Sequence, residues 1–223
     1  MVCDEVLRRK EQYLCGRCLL LPEKTEGEIC FKCGKPIEDG SEYCESCRKK
    51  EYTFQTGRAA FLYERYMRRS MKRFKYQGRK EYALYYADVL YRMYGKEVME
   101  WKADALVPVP IHKKRMERRG YNQAALIARE LGRLVKIPVY ENFLVRTKNT
   151  MPQKELSERE RFSNLCHAFS VNRNVWELSK RINCVIIIDD IYTTGNTIEA
   201  CSRALREFGV ENVHFLCVCT SRE

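Results

Sequence analysis

The chain has 223 residues, of which 45% are hydrophobic. This is enough for one α/β domain with a small appendage, and we do not expect disorder over the whole chain. It carries 41 basic and 30 acidic residues, a formal net charge of +11, and this surplus favours polyanionic partners. No apolar run reaches the ~18 residues of a membrane-spanning helix, and the N-terminal segment MVCDEVLRRKEQ lacks the apolar core of a signal peptide. We therefore expect a cytoplasmic protein without membrane insertion.

The cysteines are concentrated near the N-terminus, where seven of the twelve fall within the first 47 residues. In a reducing compartment, Cys-x-x-Cys pairs bind metal, because two thiolates at this spacing can turn toward one tetrahedral ion. Two such pairs, ten residues apart, predict a structural Zn²⁺ site in a segment too short to fold on apolar burial alone. The predicted ligands are Cys30, Cys33, Cys44 and Cys47.

A third pair, Cys15 and Cys18, has the same spacing but no clear partner. Two alternatives stay open for it: a second zinc site, or replacement of one of the other pairs. Cys3 stands alone, and we do not expect it to bind metal.

Composition changes near residue 50, where cysteines give way to aromatic residues. We therefore predict a zinc-binding module over residues 1–50 and a larger domain over residues 51–223. The larger domain is predicted to begin with a strand and two helices. Their ranges are 56–64, 66–76 and 80–94.

The first of these helices belongs to a strongly basic segment. Between Arg68 and Lys80 there are seven Lys or Arg and no acid. Such a segment either binds a polyanion, including single-stranded DNA, or forms a solvated helix face, and the pattern favours neither.

A second strand is predicted from Asp104 to Pro110, and its prolines place it at an edge or end of a sheet. A cationic loop is expected to follow, before a helix over residues 121–135. Because ligands of open α/β sheets bind at the carboxyl ends of strands, we expect this loop to face a pyrophosphate group. Its candidate residues are Pro110, Ile111, His112, Lys113, Arg115 and Arg119.

Residues 137–145 predict another strand, and a short helix is predicted from Ser157. Between them, the polar segment 147–156 has no periodicity. It is either a mobile cover over a site or a passive surface connection.

The segment Val185–Thr197, VIIIDDIYTTGNT, combines a hydrophobic run, an acid pair and a hydroxyl-rich turn. Four consecutive β-branched residues predict a parallel strand buried on both faces, which we expect to end at Asp189. The turn leads into a helix, whose first amides can hold a phosphate, while the carboxylates can accept hydrogen bonds from sugar hydroxyls. Phosphate and sugar together indicate a 5-phosphoribosyl group. The alternative is an ordinary turn with threonine as a helix cap.

This segment resembles the phosphoribosyl-pyrophosphate (PRPP) signature of type I phosphoribosyltransferases. With VPVP at 107–110, RGYNQ at 119–123 and the cysteine pairs, the chain resembles the ComF (competence protein F-like) family. Further matching residues are Arg115, Arg146, Thr150, Gln153, Leu156, Arg161, Asn164, Ala168 and Phe169. The resemblance implies an α/β type I phosphoribosyltransferase fold, an open and mostly parallel sheet flanked by helices, with a small N-terminal zinc-ribbon-like module built on four cysteines.

The resemblance also implies roles for the site residues. Asp189 and Asp190 hold the ribose hydroxyls and act as catalytic residues by stabilising positive charge on the ribose. The segment after Pro110 faces pyrophosphate bound with Mg²⁺, which prefers phosphate oxygens and water to an all-protein site. The 5-phosphate is held by Thr193, Thr194, Gly195, Asn196 and Thr197.

Three functions remain open: a phosphoribosyltransferase with an unknown acceptor, a PRPP-binding regulator without turnover, and a single-stranded-DNA-binding factor for DNA uptake. The sequence has no Walker Gly-Lys-Ser/Thr motif, so a role in DNA transport would need an ATPase partner. The sequence determines neither the acceptor nor the oligomeric state.

Overall fold

A computed structural model of the protein describes residues 15, 18, 22–25, 27–146, 168–178 and 182–222. The strands in this part of the chain are Thr56–Leu62 (β1), Ala105–Pro108 (β2), Leu144–Arg146 (β3), Phe169–Val171 (β4), Cys184–Tyr192 (β5) and Asn212–Thr220 (β6). Among these residues, β1, β6, β5 and β2 lie side by side in that order and form a parallel sheet. The strands β3 and β4 form a separate antiparallel pair.

Helices connect the strands and cover the sheet, as expected for parallel strands. Those that the structure describes are Glu45–Lys49 (α1), Arg65–Tyr76 (α2), Tyr82–Glu100 (α3), Lys113–Arg119 (α4), Gln123–Val135 (α5), Arg173–Leu178 (α6) and Asn196–Glu207 (α7). The fold class predicted from the sequence is confirmed.

The central strand β5 is buried on both faces, as its run of β-branched residues predicts. Ile186 and Ile188 belong to a hydrophobic cluster with residues of α2, α3 and α5. Val185 and Ile187 belong to a second cluster, which contains residues of α7 and cysteines of the N-terminal segment. The site residues that follow these four side chains are therefore carried by a strand whose first five residues are buried.

Among the described residues, β2 lies at one end of the four-stranded sheet, which explains how it tolerates Pro108. It pairs with β5 from Ala105–Val185 to Pro108–Ile188, and beyond Pro108 the Val109 amide donates to the Ile188 carbonyl at 2.9 Å. Pro108 has no amide hydrogen to donate, so it belongs at the edge of a ladder.

The expectation that the strand ends at Asp189 is wrong. The strand β5 continues to Tyr192, because β6 offers a partner of equal length, with Asp189 beside Cys217 and Tyr192 beside Thr220. The acid pair therefore lies within the hydrogen-bonded ladder.

Two further expectations about secondary structure are wrong. The predicted cationic loop folds from Lys113 to Arg119 as the helix α4. Residues 137–145 do not form a continuous strand: Val139 makes a single bridge to Leu106, and regular pairing starts only at Leu144. Pro138 lacks an amide hydrogen, which limits pairing in this segment.

Several predictions lie outside the described residues. They concern Cys3, the polar segment 147–156 and the helix from Ser157. The proposed boundary at residue 50 stays a prediction.

Gly57 provides a test of the packing between β1 and β6. A Cβ atom added to Gly57 would lie 1.9 Å from Phe215 Cε1, and the Phe215 ring is fully buried between Phe54 and Tyr192. We expect Gly57→Ala to lower the free energy of unfolding by about 1–3 kcal/mol or more, because the ring must move out of a packed core. Urea denaturation of the purified protein measures this change.

Gly95→Ala is the matched control. Its Cβ would meet the Tyr91 ring at 3.1 Å, but Tyr91 is 42% exposed and can shift, and alanine favours the interior of α3 by about 0.5–1 kcal/mol. A Gly57→Ala protein as stable as Gly95→Ala would contradict the packing described here.

Candidate functional site

The acid pair and the residues that follow it form one edge of the sheet. Asp189 and Asp190 lie near the carboxyl end of β5, and the segment 193–197, the signature loop, runs from the end of this strand into the first residues of α7. Gly195 caps α7 with φ 78°, a left-handed conformation that glycine adopts without steric cost. A small open pocket is lined by Asp189 and by residues 191–198. The structure thus brings the predicted acid pair and the predicted loop to one place.

The two carboxyl groups of the acid pair have different surroundings. The Lys75 Nζ atom of α2 lies 2.8 Å from Asp190 Oδ1, and both side chains are largely buried. Asp189 Oδ1 instead accepts a hydrogen bond from the Asp190 amide at 2.8 Å. Burial, together with the charge of Asp190, raises the pKa of Asp189 to about 7 against the opposing effect of Lys75. Near neutral pH, Asp189 therefore changes between a neutral carboxyl group and a carboxylate.

Arg146 lies within electrostatic range of Asp189, and Arg115 lies within range of Arg146. Burial lowers the pKa of Arg146, the charge of Arg115 lowers it further, and the charge of Asp189 acts in the opposite direction. The Arg146 guanidinium also lies 5.4 Å from the centre of the Phe169 ring, which holds it between β3 and β4. A cation of β3 thus lies near the carboxyl group of Asp189 and a cation of α4 lies near that of β3, an arrangement that suits a ligand with several negative charges.

The predicted pyrophosphate residues start beside the acid pair, because β2 and β5 are hydrogen-bonded up to Val109. His112 caps α4: its Nδ1 atom accepts a hydrogen bond from the Lys114 amide at 3.2 Å. Lys113 and Arg115 are exposed to solvent, whereas Pro110 and Ile111 are half-buried.

Arg119 is turned toward neighbouring side chains of the protein. One guanidinium nitrogen donates to Gln123 Oε1 at 2.7 Å, and the other donates to the Tyr76 hydroxyl at 3.1 Å. Of the predicted cations, Arg115 acts electrostatically on Arg146, which in turn acts on Asp189.

The sequence interpretation did not identify two functional candidates. In the sequence, Lys75 belongs to a basic helix, and its contact with Asp190 is not apparent; Arg146 is one residue of the family pattern. No local pattern distinguishes Lys75 from the other cations of α2, because its partner lies 115 residues away in the chain.

The four predicted metal ligands form a single cluster. Their sulfur atoms all lie within 4.8 Å of one another, and three of the cysteines are buried. Thiolates around a tetrahedral zinc ion, each ~2.3 Å from it, are about 3.8 Å apart, and Cys33 and Cys44 have their sulfur atoms at 3.5 Å. The cluster therefore fits a structural Zn²⁺ ion with Cys30, Cys33, Cys44 and Cys47 as ligands.

Cys15 and Cys18 are not part of this cluster. Cys18 is fully buried in the hydrophobic cluster of α2 and α3, and Cys15 packs against it. Among the described residues, the four-cysteine group is the only set of three or more metal-ligating side chains close enough to share an ion.

Comparison with known proteins adds to this geometry. Residues 90–223, more than half of the chain, match the family model described as "Phosphoribosyl transferase domain". The chain is 33% identical over 189 residues to competence protein F of Haemophilus influenzae, covering 82% of this chain and 81% of that protein. The chain belongs to the ComF family.

Two further relatives of this ComF-family chain are more distant. Competence protein ComFC of Bacillus subtilis is 29% identical over 209 residues, covering 91% of this chain and 82% of that protein. The DNA utilization protein YhgH of Escherichia coli is 28% identical over 203 residues, covering 88% and 86%. The resemblance predicted from the sequence is confirmed. Within the described residues, no helix combines the length and apolar character needed to cross a membrane.

The cysteine cluster predicts about one zinc ion per chain. We expect native mass spectrometry to find one zinc in the wild type and none in Cys44→Ser, because removing one thiolate opens the tetrahedral site. Cys15→Ser is the matched control and should keep its zinc. A metal-free wild type that stays folded under reducing conditions would contradict the site, and a second zinc lost in Cys15→Ser would bring the third pair into coordination.

Proposed function

We propose that this protein binds PRPP together with Mg²⁺ at the edge formed by the acid pair and the signature loop. The observation that carries the proposal is the position of two carboxyl groups near the end of a central parallel strand, a few residues before a glycine-capped helix start. In this proposal the loop amides bind the 5-phosphate, and the carboxylates accept hydrogen bonds from the ribose hydroxyls.

The cations around the site support a pyrophosphate-bearing ligand. Arg146 is largely buried and Arg115 lies within electrostatic range of it, and two like charges near one another favour an anion between them. Mg²⁺ would come with the ligand, since it prefers phosphate oxygens and waters, and it would neutralise the pyrophosphate as a leaving group.

If the protein catalyses phosphoribosyl transfer, breaking the anomeric bond places positive charge on the ribose ring. In that step the acid pair would stabilise the charge, and the loop would hold the 5-phosphate still while leaving group and acceptor lie in line. The acceptor is unknown, so no residue is assigned as its base. PRPP binding without turnover is therefore the other form of the same proposal.

The names of the relatives connect the proposal to DNA. Competence protein F, ComFC and a DNA utilization protein are named for competence or for DNA utilization, and we propose that this chain acts in DNA uptake or use, with a separate ATPase as motor. The cysteine thiols of the metal site must stay reduced to bind zinc, which supports the cytoplasm as its compartment.

Single-stranded DNA is a second candidate ligand, because the two basic segments meet. Tyr76, at the end of α2, is 55% exposed, and the guanidinium groups of Arg118 and Arg119 lie 5.4 and 4.8 Å from the centre of its ring. An exposed aromatic ring beside arginines can stack with a base while the cations bind phosphates.

The packing of α2 and α3 limits which side chains can take part. Lys75 forms an ion pair with Asp190, so we do not include it among the side chains proposed to bind DNA. Among the tyrosines of α3, Tyr82, Tyr85 and Tyr86 are buried, whereas Tyr91 is 42% exposed.

The PRPP proposal predicts that Asp189→Asn or Asp190→Asn weakens PRPP binding about ten- to a hundredfold, since a charge-assisted hydrogen bond contributes about 1.5–3 kcal/mol. Isothermal titration calorimetry with PRPP and Mg²⁺ measures this loss. Asp104→Asn is the matched control: Asp104 accepts hydrogen bonds from the Asn183 and Cys184 amides at the opposite end of β5. Equal binding by the wild type and both acid-pair variants would rule out the placement.

The pH dependence of binding is a sharper readout for Asp189. Its raised pKa of about 7 means that the free protein holds the proton below pH 7 and releases it above. A ligand that needs the carboxylate should therefore bind more tightly as pH rises from about 6 to about 8. The 5-phosphate of the ligand also ionises, with a pKa of about 6. The control is therefore Asp189→Asn, in which the pH dependence of binding keeps only the contribution of the ligand. Identical pH profiles would exclude a role for the Asp189 carboxylate.

The DNA proposal predicts weak binding of single-stranded oligonucleotides that falls steeply as salt rises. We expect Tyr76→Ala and Arg118→Glu each to weaken it about tenfold in fluorescence anisotropy, through lost stacking and lost phosphate contact. Lys96→Glu changes the charge equally in a separate groove between α3 and α5, and should have a smaller effect. If all three variants bind like the wild type, the basic surface serves solvation alone.

A further inference from the structure

The four-cysteine module, residues 27–50, packs directly against the start of β1. The Gly57 amide donates to the Lys32 carbonyl at 2.7 Å, and the Arg58 guanidinium donates to the Phe31 carbonyl at 3.2 Å. A Cβ atom on Gly34 would lie 2.7 Å from the Gly57 carbonyl oxygen, so the backbones approach closely. The first cysteine pair is therefore held against the sheet.

Tyr52 lies two residues after the module and contacts the signature loop. Its side chain is 8% exposed, and its hydroxyl group donates to the Thr194 carbonyl at 3.3 Å. The Tyr52 ring also lies close to Gly195: a Cβ atom added to Gly195 would be 3.1 Å from Tyr52 Cε1. The loop thus rests on a side chain whose position depends on the adjacent module.

The next residue, Thr53, is fastened to the helix that follows the loop. Its amide and its hydroxyl group both donate to Glu199 Oε2, at 2.8 and 3.1 Å. Glu199 is 1% exposed, and its other oxygen accepts a hydrogen bond from Arg203 Nε at 2.6 Å. The Glu199 amide in turn donates to the Gly195 carbonyl at 2.8 Å, in the first turn of α7. Tyr52 and Thr53 together hold both sides of the loop–helix junction.

Packing is continuous from the cysteines to this junction. Cys30, Cys33 and Cys44 belong to the same buried cluster as Tyr52 and Tyr192. The Tyr52 ring stacks on Phe54 at a centroid distance of 4.9 Å, and Phe54 meets Phe215 edge-on at 5.0 Å. Because the side chains between them are closely packed, a displacement of the cysteine pairs is transmitted to the signature loop.

We propose that Tyr52 is a positioning residue through which the four-cysteine module holds the signature loop, so that loss of metal from the module loosens the loop and weakens binding of a phosphate ester there. The module is then part of the ligand site rather than an independent finger. The ligand half of this inference rests on the proposed function, whereas the coupling between module and loop does not.

Hydrogen exchange read by mass spectrometry tests the coupling without any ligand. We expect peptides covering residues 193–203 to exchange about tenfold faster in Tyr52→Ala and in chelator-treated wild type than in zinc-loaded wild type. Peptides from α5 should be unchanged and report that the fold persists. Tyr52→Phe, which keeps the ring and loses one hydrogen bond, should show an intermediate effect. Tyr43→Ala removes an exposed tyrosine of the same module and is the matched control.

The second arm measures linkage in the zinc-loaded proteins. If module and loop are coupled, a ligand of the loop must also stabilise the metal site, because coupling is reciprocal. We expect PRPP with Mg²⁺ to slow zinc transfer to a coloured chelator in the wild type and in Tyr43→Ala, and to have no such effect in Tyr52→Ala. Tyr52→Phe should bind PRPP about two- to tenfold more weakly, the contribution of one neutral hydrogen bond.

The outcomes separate the inference from the proposed function. Faster exchange at the loop in Tyr52→Ala, with no binding of PRPP by the wild type, supports the coupling and refutes PRPP as ligand. PRPP binding by the wild type with loop exchange unchanged in Tyr52→Ala overturns the coupling and leaves the proposed function standing. If chelation unfolds the whole protein, the coupling is tested by hydrogen exchange in zinc-loaded Tyr52→Ala and Tyr52→Phe, compared with zinc-loaded wild type.

Discussion

The pairing of β5 with a parallel strand on each side is the constraint on which the rest of the structure depends. Its apolar residues are buried on both faces, so the strand cannot shift by one residue without placing Asp189 or Asp190 in a hydrophobic cluster. The same pairing brings the end of β2 beside the acid pair, and it leads directly into the glycine-capped start of α7. Burial of four aliphatic side chains therefore determines where two charged ones lie.

Charge at this edge is balanced by residues from separate parts of the chain. Lys75 comes from α2, which precedes the segment 90–223 matched by the phosphoribosyl transferase family model, while Arg146 and Arg115 come from within it. Burial favours the neutral form of Asp189, whereas Asp190 is paired with Lys75, so two adjacent carboxyl groups have different electrostatic surroundings. Such a difference is typical of sites that bind or transform ligands.

The N-terminal module has a different relation to the fold from the one that its composition suggests. A short cysteine-rich segment next to a basic protein resembles an independent finger, yet three of its cysteines are buried in the same cluster as the core aromatics Phe54, Phe215 and Tyr192. The contacts of Tyr52 and Thr53 extend this cluster to the signature loop and to α7. A change in the module therefore acts on the site at short range, through packed side chains rather than through a flexible linker.

The sequence alone determined the features that depend on local pattern. The β-branched run predicted a central strand, the cysteine spacing predicted four ligands that the fold brings within 4.8 Å, and the segment Val185–Thr197 predicted an acid pair beside a helix start. Tertiary structure decided the features that depend on distant partners. The strand β5 runs past Asp189 because β6 pairs with it, and the segment after His112 is helical. Lys75 binds Asp190, and Tyr52 supports Thr194. These two contacts join residues 115 and 142 positions apart, and only the folded chain brings such groups within hydrogen-bonding distance.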